Sequence, residues 1–194
     1  MTSDEADLPD LSTAIAFDVA LREAPVDVDL LTRAVERAHA ALADARRSSD
    51  DAATVRVLGY LGNVCRVLGR HDEAIAALTE AVTRARASGD HRANLVNRLR
   101  LGEAKKYRGD VTEAENIFRQ ALRDAREPSL TGYHDFALQH LGKCRLEQGD
   151  AAEAVLLFEQ ALALRQRKGD QQLIASTEIA LARALAVRSG QVEQ

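Results

Sequence analysis

Residues Leu58 to Arg86, LGYLGNVCRVLGRHDEAIAALTEAVTRAR, decide the fold. Two helical apolar patterns are separated there by Gly69, Arg70, His71 and Asp72. The landmarks of the stretch return at a constant distance. Leu61-Gly62 recurs as Leu101-Gly102 and Leu141-Gly142. Gly69 recurs as Gly109 and Gly149, and Ala74 as Ala114 and Ala154. Leu78 returns as Phe118 and Phe158, and Ala81 as Ala121 and Ala161. Each step is 40 positions, as from 61 to 101 to 141. A fixed period of this length marks stacked helix-pair units, each packing mainly on its neighbours.

Working outward, the same register extends both ways. Stepping back from Ala74, Leu78 and Ala81 lands on Ala34, Ala38 and Ala41, within an expected helix from about Asp29 to Arg47. Before it, Leu11, Ile15, Val19 and Leu21 suggest a helix from about Leu11 to Ala24, capped by Asp10 or Ser12 and closed by Pro25. The three clear repeats place helices at about 52–68, 72–87, 92–108, 112–126, 130–148 and 151–168. A last helix, about 171–188, keeps the register but has Ala182 where the glycine would fall. The expected organisation is an acidic, disordered start (1–10) and a single all-α array (11–190) of about nine helices. Within it lie a degenerate repeat (11–48), full repeats (50–88, 90–127 and 130–168) and a terminal helix (170–189), before a short tail (191–194).

The mid-helix glycines call for a physical reason, because glycine inside a helix costs about 1 kcal/mol relative to alanine. A close helix crossing at Gly62, Gly102 and Gly142 supplies one, with Ala74, Ala114 and Ala154 as the small residues opposite and Leu78, Phe118 and Phe158 filling the space between. Gly69, Gly109 and Gly149 suit the left-handed turn that ends a helix. His71-Asp72-Glu73 marks the next helix start, with Asp72 as its cap.

Composition narrows the function. The net charge of −4 and a pI near 5.8 oppose bulk nucleic-acid binding, which favours a strongly basic face. The acidic start has no apolar run for a signal sequence, and no stretch approaches the roughly 18 apolar residues of a membrane span. A cytoplasmic location without membrane or nucleic-acid partners is therefore expected. Cys65 and Cys144 lie two repeats apart, roughly 20 Å at about 10 Å per helix layer. That exceeds the Cα separation of about 7 Å a disulfide allows, so both are read as small core thiols. The five histidines (His39, His71, His91, His134 and His140) share no ligand spacing, so no metal or cofactor is expected. No phosphate loop, nucleophile elbow or HExxH is present, and the expected class is non-enzymatic.

The motif L-G-x-x-x-x-x-x-G-x-x-x-x-A-x-x-x-[LF]-x-x-A, read here three times, resembles the core of the tetratricopeptide repeat. The 40-residue period resembles the longer variety of kinesin light chains, of G-protein regulators of cell polarity and of bacterial regulators. The Arg- and Ala-rich usage suits a GC-rich bacterium. The resemblance implies a right-handed α-α superhelix whose first helices line a concave face, and a scaffold that binds protein or peptide in that face. It does not extend to the family's helix-A aromatics: positions 58, 98 and 138 carry Leu, Arg and Leu, and positions 65, 105 and 145 carry Cys, Lys and Arg. Nor does it extend to the carboxylate clamp, since Asn63 is followed at equivalent places by Glu103 and Lys143.

Mapped by the family geometry, the peptide-binding groove takes Arg56, Tyr60, Asn63 and Arg66 from the first full repeat, and Arg100, Glu103, Lys106 and Tyr107 from the second. His140, Lys143 and Arg183 continue it. Six of these are basic in a chain of net charge −4, which suits an acidic peptide. An ordinary solvated face of mixed charge is the plainer alternative. A second functional reading is a ligand-responsive sensor domain of a bacterial signalling or transcription-control system. The terminal helix, with Ile174, Ile179, Leu181 and Leu185, is either a cap or a face for homodimerisation or for a further domain.

Overall fold

A computed structural model describes residues 8–18 and 21–190. The chain divides into two compact units, residues 1–108 and 109–194, and each is described by itself. Residues 1–7 and 191–194 of the expected start and tail lie outside the described residues, as does Val19.

The first unit opens with an antiparallel hairpin rather than the expected helix. Strand β1 (Ile15–Phe17) pairs with β2 (Glu23–Pro25), with Ala16 opposite Ala24. Between them, Leu21 takes a left-handed φ of 62°, and the Asp18 carboxylate accepts from the Arg22 amide at 2.9 Å. Asp10 does accept from the Ser12 amide, at 2.9 Å, but no helix follows, so it closes a local turn. Four helices come next: α1 (Val28–Arg47), α2 (Asp51–Val67), α3 (His71–Ala87) and α4 (His91–Arg108). Successive helices pack on one another, and α2 also packs on α4.

In the second unit, α5 (Val111–Asp124), α6 (His134–Glu147), α7 (Ala151–Lys168) and α8 (Gln171–Arg188) repeat the pattern. A single 3₁₀ turn, Thr131–Tyr133, takes up the start of the helix expected from Leu130. The other bounds fall within a residue or two of expectation. Among the described residues there are eight α-helices rather than about nine, the difference being the hairpin.

The repeat landmarks are the core. Ala74, Leu78, Ala81, Ala114, Phe118, Ala121, Ala154, Phe158 and Ala161 are all fully buried. Each buried Leu or Phe contributes about 1.5–3 kcal/mol by leaving water. Carboxylates start the helices: Asp27, Asp50, Asp90, Asp150 and Asp170 accept backbone N–H groups of the first turns. Asp72 does not act this way. It lies inside the first turn of α3 and pairs with Arg108 at 2.8 Å, while Arg70 holds the cap position without a side-chain bond. Gly69 and Gly149 adopt left-handed φ values of 75° and 86°, ending α2 and α6. Both cysteines are buried and form no disulfide. Among the described residues no helix is long and apolar enough to cross a membrane.

Candidate peptide-binding face

In the first unit α2 and α4 lie side by side, and a glycine brings them together. A Cβ at Gly59 would stand 2.4 Å from Asn97 Oδ1 and 2.9 Å from Arg100 Nη1. The α4 side chains therefore lie directly on the α2 backbone. Tyr60, Asn63 and Arg66 follow at spacings of three, so Asn63 neighbours both, while Tyr60 and Arg66 stand about 120° apart around α2.

Arg66 is the centre of this face. It is 4% exposed, its Nη2 donates to Asn63 Oδ1 at 2.8 Å, and it pairs with the Glu23 carboxylate of β2. Its guanidinium lies 4.9 Å from the centroid of the Tyr107 ring, which Arg22 and Lys106 also approach, at 5.2 and 5.3 Å. Three cations thus surround one aromatic ring. The Tyr107 hydroxyl accepts from the Glu23 amide at 2.7 Å. The Tyr60 hydroxyl donates to the Pro9 carbonyl, also at 2.7 Å. Lys106 is 1% exposed, with Nζ 3.5 Å from Glu103 Oε1.

The electrostatics follow from this crowding. Burial alone would lower the Arg66 pKa, but Glu23, Glu103 and Tyr107 more than offset it, and the net shift is upward. Burial lowers that of Arg100, reinforced by Arg66 and partly opposed by Glu23. Burial, and then the charge of Asp10, pushes Tyr60 up to about 12. Tyr107 is raised as well, first by burial and then by Glu103. His71, edge-on to Tyr107, is lowered by burial and by Arg22. Two nitrogens of Arg66, Nε and Nη1, are buried without a hydrogen-bond partner, as is Asn97 Oδ1.

The structure thus gathers Tyr60, Asn63, Arg66, Arg100, Glu103, Lys106 and Tyr107 on adjoining helices of one unit. Arg56, on the same helix, is exposed and outside this cluster. His140, Lys143 and Arg183 belong to the second unit. There His140 stacks on Phe118, with ring centroids 5.5 Å apart and planes 12° from parallel. Lys143 and Arg183 are half-buried, on α6 and α8. Sequence reasoning missed Pro9 and Arg22 as neighbours of this face, because Tyr60 and Tyr107, which they reach, lie 51 and 85 positions further along the chain. It also passed over Asn97, which only the close crossing at Gly59 brings in.

Tetratricopeptide repeat family models match residues 51–127 and 137–172. The chain belongs to the tetratricopeptide repeat family, whose arrays are protein–protein interaction modules. No curated protein matches the sequence. The fold is similar to a crystal structure from Podosopora anserina described as a kinesin light chain of nearly identical TPR-like repeats. That match has 20% identity and a TM-score of 0.64, covering 84% of this chain and 81% of the other. It is also similar to BtubC (BKLC) from P. vanneervenii, at 18% identity and a TM-score of 0.57, covering 84% and 72%.

Proposed function

We propose that the α2–α4 face of the first unit binds an acidic segment of a partner protein, with Arg66 receiving a carboxylate. One observation carries this reading: a guanidinium only 4% exposed that keeps two nitrogens unpaired beside the Tyr107 ring. Buried donors without acceptors are costly, typically about 1–3 kcal/mol each. A planar guanidinium fork matches a carboxylate through two parallel bonds, which a lysine cannot reproduce. Tyr60 and Tyr107 add rigid contact area with hydroxyls that bond backbone groups, as the Pro9 and Glu23 contacts illustrate. On this reading the protein is a non-enzymatic scaffold.

The test is an anisotropy titration of the full chain with a short fluorescein-labelled Glu-rich peptide, and with a Lys-rich peptide of the same length. The Glu-rich peptide should bind at least about tenfold more tightly, a difference of about 1.4 kcal/mol. The preference should fade toward 1 M salt, where the Debye length is about 3 Å. Arg66→Lys should weaken binding while circular dichroism stays unchanged. Equal binding of both peptides would refute the proposal.

A further inference from the structure

The groups that would receive a partner already hold a segment of the same chain. Polar contacts from Pro9 and Glu23 fasten the described residues 9–18 and 21–25 to α2 and α4. They are the Tyr60 hydroxyl on the Pro9 carbonyl at 2.7 Å, the Glu23 amide on the Tyr107 hydroxyl at 2.7 Å, and the Glu23 carboxylate on Arg66. The three receiving side chains are Tyr60, Arg66 and Tyr107, the same ones the proposed function requires. The segment offers them a carbonyl, an amide and a carboxylate, which are the groups a bound acidic peptide would offer.

Among its described residues the segment buries few apolar side chains. Ala14 and Leu21 are the buried apolar anchors of the segment, at 0% and 8% exposure. Phe17 is 56% exposed and Val26 64%. The strands are three residues each, and a hairpin of this length has little stability of its own. Nor does the segment exhaust its receptor. Glu23 engages Nη2 of Arg66 and leaves Nε and Nη1 unpaired. A carboxylate approaching the fork through two bonds would satisfy more of it.

Building on the proposed function, we infer that the hairpin strap is a tethered stand-in for the partner: Glu23 occupies the Arg66 receptor in cis, and an acidic segment binds by displacing it. A tethered occupant competes at an effective concentration set by the tether, so it lowers the apparent affinity of every competitor by a common factor. Removing the carboxylate from the strap should therefore strengthen binding of an outside peptide. The sign is diagnostic, because losing a contact that merely supports the fold would not improve binding.

The test uses the full-length chain, its Glu23→Gln and Tyr60→Phe variants, and the labelled Glu-rich peptide. Glu23→Gln should bind the peptide about tenfold more tightly than the parent. Tyr60→Phe frees Pro9 but also removes a hydroxyl the peptide would use, so its gain should be smaller than that of Glu23→Gln. Hydrogen–deuterium exchange gives a second readout. Strap amides, including that of Val26 on the Ala14 carbonyl, should exchange about tenfold faster in Glu23→Gln, and in the parent saturated with peptide. If parent and Glu23→Gln bind equally and the strap stays protected with peptide bound, masking is wrong and the acidic-peptide reading stands. If neither binds the peptide, even with the strap exchanging freely, both are overturned.

Discussion

Gly62 of α2 faces Leu78 of α3 so closely that a Cβ on the glycine would stand 2.4 Å from Leu78 Cγ. The same pair recurs in the second unit, where a Cβ at Gly142 would meet Phe158 Cε1 at 2.6 Å. The two landmarks that repeat together in the sequence are thus one contact, made afresh in each unit. Nothing smaller than glycine exists to relieve it, and the opposing side chains are fully buried.

Gly62→Ala should therefore destabilise the protein by about 1–3 kcal/mol, although alanine is the better helix former by about 1 kcal/mol. Leu78 meets the new methyl with its branch carbon, which cannot swing aside in a full core. Urea unfolding followed by circular dichroism measures this. The double variant with Leu78→Ala should lose less than the sum of the two singles. A single variant more stable than the parent would show that the helices separate at this point.

Asp135 and Arg165 give a second stability test. Asp135 is fully buried and accepts from Arg165 Nε at 3.0 Å, with Lys168 also bonded to it. Arg165 donates onward to Thr177 Oγ1 at 2.6 Å. Asp135→Ala leaves a buried guanidinium without its counter-charge, which costs about 3–5 kcal/mol. Adding Arg165→Met should restore part of the loss, because the uncompensated charge is gone. Thermal melts of the two variants decide: a double variant less stable than Asp135→Ala alone would contradict this account.

Cys65 is predicted to be inert in the native protein. Burial, and next the charge of Glu73, pushes its thiol up to about 12 from a usual 9.0, so the reactive thiolate is scarce at neutral pH. Iodoacetamide at pH 8 should leave Cys65 unmodified until urea unfolds the chain, as read by mass spectrometry. The linkage has a definite sign. The folded state holds this proton more tightly, so the contribution is complete below pH 9 and is lost as pH rises toward 12. Relative to Cys65→Ala, the parent should lose stability from pH 9 upward. Rapid native labelling would refute the burial argument.

The helix array was legible because its determinants are local and periodic. Gly69 and Gly149 end helices in the left-handed conformation their spacing suggested, and the Leu-Gly pairs at Gly62 and Gly142 mark real crossings. The hairpin was not legible as read. Leu11, Ile15, Val19 and Leu21 satisfy a helical spacing, but Ile15, Phe17, Val19 and Leu21 also alternate strictly, which is a strand signal. What favours the strand is the contact of Glu23 with Tyr107, 84 positions away, and no local pattern contains it. The candidate site was legible in part. The spacing places Asn63 beside both Tyr60 and Arg66, but composition alone does not say that Lys106 is buried beside Glu103, or that Arg66 already holds a carboxylate.

On the proposed function, an acidic partner segment sits on α2 and α4 of the first unit. The most direct measurement is photo-crosslinking of a benzophenone-bearing Glu-rich peptide to the full chain, with the attachment sites read by tandem mass spectrometry. This account predicts attachment on α2 and α4 around Tyr60 and Tyr107, suppressed in Arg66→Lys. Attachment instead on α8, where Ile179 and Leu185 are 62% and 38% exposed, would contradict it and move the binding face to the terminal helix.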